Sequence, residues 1–137
     1  MTDSGPVVLC YDGSDVSIHA IREAALVLRG RRAVVANVYT VKLADLMPVV
    51  DVMERARQTA AEGAQVAAEA GFEAEHVGID SVSIWRGLVD YAEAQHAEVI
   101  VAGATGTSVL GTVLGSVAYG IAHHCRRPVL LVRGEGG

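Results

Sequence analysis

Val99-Ile100-Val101-Ala102-Gly103-Ala104-Thr105-Gly106 is an apolar run that stops at a glycine, and Thr107-Ser108-Val109-Leu110-Gly111-Thr112-Val113-Leu114-Gly115-Ser116 follows it as a loop rich in Gly, Thr and Ser. A helical pattern begins where the loop ends, at Gly115-Ser116. The stretch reads as strand, loop, helix. Glycines let backbone N–H groups come close to an anion, and a helix N-terminus adds unpaired donors and partial positive charge. The stretch is therefore a candidate phosphate cradle. The plainer reading is a tight turn that lets the helix pack close to the sheet, and the loop by itself does not separate the two.

Outward from this stretch the same alternation repeats. Pro6 to Tyr11 is a short apolar run that ends at Asp12-Gly13-Ser14, a turn and helix-cap signature. Ile18, Ile21, Ala25 and Leu28 recur at helical spacing, and Gly30 closes that helix after Arg29. Ala33 to Tyr39 is a second strand. Pro48 opens a helix whose body, Asp51 to Ala70, is rich in Ala, Glu, Arg and Gln, and Gly71 stops it. Phe72 to Ile79 mixes apolar with polar residues, as an edge strand does. Ser83 to His96 is the next helix, with Ile84, Leu88, Tyr91 and Gln95 on one stripe. Glu98 to Ala102 is a buried strand. Leu114, Val117, Ile121 and Cys125 mark the face of the last helix, and Pro128 to Val132 is the last strand.

Strands alternating with helices imply a parallel sheet covered on both faces, and right-handed crossovers make it a three-layer α/β/α sandwich. Ligands of such sheets bind at the carboxyl ends of the strands, where the strand order reverses. Asp12 follows the first strand and the glycine loop follows the fourth. If those strands are neighbours at the reversal, both signals meet in one crevice. Val129-Leu130-Leu131-Val132 is fully apolar. It lies either inside the sheet or at an edge that a two-fold partner covers, because a bare apolar edge invites aggregation.

Composition narrows the classes. A hydrophobic fraction of 51% with 20% charged in 137 residues describes one compact domain, residues 1–137, and excludes disorder. Aromatics are only 4%, so the core is built from Val, Leu, Ile and Ala. A formal net charge of -5 argues against nucleic acid as a partner. Arg29, Arg31, Arg32, Arg126 and Arg127 fall where helices end, so they oppose the macrodipole. Cys10 and Cys125 are far apart and belong to no CxxC pair, which suits free thiols in a reducing compartment. With no signal pattern and no stretch that spans a bilayer, the expected location is the cytoplasm, without membrane contact.

No catalytic residue is assigned, because the Ser and Thr residues of the loop have no base that the sequence places beside them. No metal site is assigned either. His123 and His124 are adjacent, so on a helix they point about 100° apart, and His19, His76 and His96 stand alone as surface residues. Tyr11 and Trp85 are candidates to stack on a base, with core or rim packing as the other reading.

Several segments together resemble the universal stress protein family. They are the strand ending in Asp12-Gly13-Ser14, the strand carrying Asn37-Val38-Tyr39, Gly103-x-x-Gly106 leading to Gly115-Ser116, and the ending Gly115-Ser116-Val117-Ala118, His123-His124 and Arg127-Pro128-Val129-Leu130-Leu131-Val132-Arg133. The resemblance covers essentially the whole chain in the right order. It implies a five-stranded parallel sheet of order 3-2-1-4-5 and homodimers formed through the fifth strand, here Val129, Leu130, Leu131 and Val132. It also implies ATP or AMP in the crevice between strands one and four. By that resemblance the backbone of Val38 reads the adenine edge, and Cys10, Tyr11 and Asp12 line the base and ribose. Gly103, Gly106, Gly115, Ser116 and Val117 hold ribose and phosphates, with Asp12 near a phosphate-bound Mg. Two departures stand out. Thr107 to Leu114 is one residue shorter than the family's usual gap, and Ala104-Thr105 carries no cation where many relatives have one. The phosphates then rely on N–H groups and on the hydroxyls of Thr105, Thr107, Ser108 and Thr112. The expected function is a regulatory or sensor module of the stress response that binds an adenine nucleotide. The alternatives are a nucleotide-free dimeric scaffold of the same fold and a slow ATPase.

Overall fold

A computed structural model describes residues 5–40, 48–105 and 114–134. The described chain runs β1 (Val7–Cys10), α1 (Asp15–Leu28), β2 (Arg32–Thr40), α2 (Val49–Ala70), β3 (Glu73–Ser81), α3 (Ile84–Ala94), β4 (Val99–Gly103), α4 (Ser116–His124) and β5 (Val129–Val132). The five strands form one sheet of order β3-β2-β1-β4-β5, and every neighbouring pair is parallel. β1 and β4 are therefore adjacent, and the strand order reverses between them. Among the described residues no helix is long and apolar enough to cross a membrane.

Alternation along the central strands divides the core into two layers. Val7 and Leu9 of β1, with Ala33 and Val35 of β2, pack under α1 and α2. Val8 and Cys10, with Ala36 and Ile100, pack under α3 and α4. The aliphatic core expected from the composition is what fills both layers. α2 buries Val52, Ala56, Ala60, Gly63 and Ala67, a stripe of small residues that brings the helix backbone down onto the sheet. Gly63 has no room for a side chain, since a Cβ there would lie 2.7 Å from the Tyr11 ring and from Val35.

The helix ends follow local chemistry. Ser14 caps α1, its Oγ accepting from the Ser17 N–H at 3.2 Å. Ser83 caps α3 in the same way through the Arg86 N–H. Gly71 ends α2 at φ 113, a left-handed conformation that glycine adopts without strain. Pro48 is the residue before the first turn of α2 rather than part of it. Arg31 donates to the Val27 carbonyl at the end of α1 and pairs with Glu98 at 3.1 Å, in keeping with a structural role for that cluster.

Two expectations are revised. The buried face of α3 is Gly87, Leu88, Val89 and Ala92, whereas Ile84 and Gln95, assigned to the stripe, are exposed. On α4 the buried residues are Ala118, Gly120 and Ile121, and Leu114 is exposed. The open question about the last strand resolves to an edge: β5 pairs with β4, lies at the end of the strand order, and is half-buried along its length.

Candidate functional site

The strand reversal opens a cleft of about 190 Å³ at the carboxyl ends of β1, β2 and β4. Cys10, Tyr11 and Asp12 enter from the end of β1, with Asn37 and Val38 from β2. Gly103 and Thr105 enter from the end of β4, and Gly115, Ser116 and Val117 from the start of α4. Eight of the nine residues expected at the site thus line one cavity. The ninth, Gly106, lies outside the described residues, as do Thr107, Ser108 and Thr112.

Two helix N-termini point at this cleft, and they differ. The first turn of α1 carries a side-chain cap. Ser14 N–H and Ser17 Oγ–H both donate to Asp12 Oδ1, at 2.9 and 3.0 Å, and Ser14 Oγ caps the helix. The N-terminus of α4 has no side-chain cap, because Gly115 holds the cap position. Its first intrahelical bond runs from Tyr119 N–H to Gly115 C=O. The N–H groups of Ser116, Val117 and Ala118, all lining the cleft, therefore have no partner inside the helix. Gly115 departs from the expectation in one respect: its own N–H donates to Ala104 C=O at 3.0 Å. It contributes the bare cap, not an amide.

The β2 edge of the cleft follows from register. The last rung between β1 and β2 is Tyr11 N–H to Ala36 C=O, at 3.1 Å. In a parallel pair, alternate residues turn both peptide groups toward the same neighbour. Val38 therefore turns its N–H and C=O toward β1, beyond the point where β1 has ended. The Asn37 amide donates to Tyr11 C=O at 2.9 Å, at the oxygen a continued ladder would have given to Val38. An adjacent donor and acceptor are thus presented toward the cleft.

Electrostatically the site is simple. Burial pushes the Cys10 thiol far above its ordinary value, with Cys125 and Asp12 adding to the effect, so it stays protonated. Burial likewise raises Tyr11, with Glu62 and Asp12 contributing. Burial also works to raise Asp12, but the hydrogen bonds from Ser14 and Ser17 outweigh it, and the carboxyl sits below the usual aspartate value. Both cysteines are free thiols. Among the described residues no group of three or more His, Cys, Asp or Glu side chains is placed to hold a metal ion.

Neither aromatic candidate is presented to a base. The Tyr11 ring is buried against Gly63. Trp85 stacks on His124 at 4.3 Å between centroids, away from the cleft lining. Sequence reasoning missed Val16 and Ser17 of α1 and Ile84 and Leu88 of α3 as lining residues. Ser17 was within reach, since Ser14-x-x-Ser17 is the spacing from a helix cap to its third residue and Asp12 lies two residues before the cap. Ile84 and Leu88 carry no local signal, because only the crossover places α3 over β2.

Comparison with known proteins gives a consistent result. The model described as the Universal stress protein family matches residues 4–133. A universal stress protein in complex with cAMP is 25% identical, with a TM-score of 0.76 over 98% of this chain and 100% of that one. The universal stress protein from Archaeoglobus fulgidus in complex with dAMP is 24% identical, with a TM-score of 0.71 over 96% of this chain and 100% of that one. The hypothetical protein MJ0577 is 17% identical, with a TM-score of 0.79 over 99% and 100% of the two chains. The last two likenesses establish the fold alone. No curated protein sequence matches the chain.

Proposed function

We propose a function from one premise: this chain belongs to the universal stress protein family. On that premise the cleft is an adenine-nucleotide site, and the protein is a regulatory or sensor module whose output is a conformation rather than a product. The neighbouring structure in complex with cAMP, 25% identical, supports a nucleotide of this class.

One observation carries the reading. The uncapped N-terminus of α4 opens into the same cleft as the Val38 peptide edge. A nucleotide needs both ends at once: a donor–acceptor pair for the base and unpaired amides for an anion. The Val38 N–H and C=O match the acceptor and donor on the edge of adenine. Ser116, Val117 and Ala118 offer amides to a phosphoryl group, assisted by the helix dipole. Cys10, Tyr11, Asp12 and Gly103 form the floor under base and ribose, and Gly106 belongs to the loop beyond. Gly103 keeps this floor tight, since a Cβ there would lie 2.6 Å from Val16. The cleft is smaller than the roughly 300–1,000 Å³ of a site that encloses a drug-sized ligand. It suits base and ribose, with phosphates extending over α4. A magnesium ion would be held mainly by ATP phosphates, with Asp12 as the one carboxylate that lines the cleft among the described residues.

Calorimetric titration with AMP, and with ATP plus magnesium, tests the reading. Binding with a matching thermal shift is expected, and no heat with no shift refutes it. A second reading, a nucleotide-free dimeric scaffold, is favoured by the half-buried β5 edge. We assign dimer formation to that edge in either case, because an apolar edge strand needs a cover. Phosphate release at the background rate would dispose of the slow-ATPase alternative.

A further inference from the structure

We propose that Trp85, which lies outside the cleft lining, is a positioning residue: laid against α4, its ring sets the aim of the amides that meet the anion. The inference rests on the nucleotide reading above and adds the device that holds the two halves of that site in register. The base half, the Val38 edge, belongs to the sheet. The anion half, the start of α4, belongs to a helix. α3 joins the two, and its Ile84 and Leu88 line the cleft between them. It is seated on each side through a glycine. Toward the sheet, a Cβ on Gly87 would lie 2.8 Å from Ser81 Cβ and 3.2 Å from Val38 Cγ1. Toward α4, a Cβ on Gly120 would lie 2.3 Å from Trp85 Cγ, so the indole lies directly on the helix backbone.

The indole also stacks on His124, 4.3 Å between centroids. Ser116, Gly120 and His124 are spaced four residues apart, so they form one ridge along α4. Trp85 holds two members of this ridge. The third, Ser116, lines the cleft roughly 6 Å along the helix axis from Gly120. The ends of α4 are held by Gly115 N–H on Ala104 C=O, at 3.0 Å, and by Arg126 N–H on Glu93 Oε2, at 2.9 Å. Between them its buried residues are Ala118, Gly120 and Ile121, of which only Ile121 is large. The contact on the α3 side therefore sets the rotation of α4 about Ile121. Without the indole the helix turns, and its amides leave the line that hydrogen bonds require. The loss of one charge-assisted bond lowers affinity about tenfold or more.

Calorimetry with adenosine and with AMP tests this on the wild type, Trp85→Ala, Trp85→Phe and Gly120→Ala, with a thermal melt to verify each fold. Adenosine reads the base half alone, and AMP reads both halves. Trp85→Ala is expected to weaken AMP about tenfold and to leave adenosine within about twofold. Trp85→Phe, which keeps a flat ring against Gly120, is expected to restore most of the AMP affinity. Gly120→Ala leaves the indole in place and wedges it off the helix, so it is expected to lower AMP selectively as well. It decides the matter should Trp85→Ala fail to fold. The ratio of AMP to adenosine affinity is the readout, because a ring that merely supports the fold would move both ligands together. Equal losses for the two ligands, or an AMP affinity that neither folded variant changes, overturn the inference while leaving the nucleotide site standing. A wild type that binds neither ligand overturns the nucleotide reading and this inference with it.

Discussion

Replacing Ser116 with proline deletes one amide and one hydroxyl at the cleft and leaves the helix start in place. Ser116 is the first residue of α4, where proline is tolerated because that N–H has no helical partner. Proline also restricts the residue before it to extended conformations. Gly115 already has φ -68 and ψ 162, so the restriction is met without movement. Stability of the ligand-free protein is expected to change by less than about 0.5 kcal/mol. Binding is another matter. A hydrogen bond to a charged phosphoryl oxygen contributes about 1.5–3 kcal/mol, against about 0.5–1.5 kcal/mol for a neutral one. Ser116→Ala keeps the amide and removes the hydroxyl, so its affinity for AMP falls by up to about tenfold. Ser116→Pro removes both and is expected to lose at least a further tenfold. Calorimetry with AMP on the two variants, beside melts without ligand, measures the difference. Equal affinities in two folded variants would show that this amide does not touch the ligand. Unfolding of Ser116→Pro would show that the cap geometry is not as described.

Other expectations come from packing, charge and edge chemistry. A Cβ on Gly120 would lie 2.3 Å from Trp85 Cγ, and that ring is held by the His124 stack and by Arg86 4.9 Å from its centroid. Gly120→Ala gains about 1 kcal/mol of helix propensity but overpacks a rigid ring at about 1–3 kcal/mol. Urea unfolding should therefore show net destabilisation, and in a Trp85→Ala background the same change should stabilise; the same sign in both backgrounds refutes the contact. Asp12 has a lowered folded-state value, so its charge stabilises the fold above the ordinary aspartate value of about 3.9. That advantage over Asp12→Asn is expected to be intact at neutral pH and to vanish as pH falls through the folded value; an advantage that persists in acid contradicts the assignment. On β5, Val132 C=O accepts from Ala104 N–H and Pro128 C=O accepts from Ile100 N–H, so the even-numbered peptide groups face β4 and those of Val129 and Leu131 face the free edge. Leu131→Pro removes an outward N–H and spares the β4 ladder. Light scattering should find monomer where the wild type is a dimer, and a variant that stays dimeric excludes the edge as the interface.

How far the molecule could be read in advance depended on the distance over which each feature is decided. The strand–helix alternation, the Ser14 cap, the Gly71 stop and the Asp12–Ser14 turn are settled within a few residues, and the sequence displays them. The order of the strands needed more than periodicity, since five alternating units allow several sheets, and it came from the resemblance carried by separated motifs. The α3 face was misassigned because two stripes share helical spacing. Ile84, Leu88, Tyr91 and Gln95 satisfy it as well as Leu88, Val89 and Ala92 do, and only packing on the sheet chooses. Gly63 and Gly120 gave no sign of their role, because what excludes a side chain at each is a ring from elsewhere in the chain, Tyr11 and Trp85.

The site divides along the same line, and the division bears on how it works. Its composition was legible: glycines, a capping serine and one aspartate beside strand ends. The directions of its peptide groups were not. Val38 faces the cleft only because β1 stops at Cys10 while β2 runs on to Thr40. The α4 amides stand free only because the cap residue is a glycine whose own N–H is held by Ala104. On the proposed reading, recognition in this cleft falls mainly to main-chain groups, whose aim is set by strand length and register. Side-chain substitutions that leave register intact should alter charge preference and pocket fit before they abolish binding. Changes that shift β2 against β1 should remove binding without touching a single residue that a motif would name, and a side-chain cap on α4 in place of Gly115 should remove it by occupying the amides.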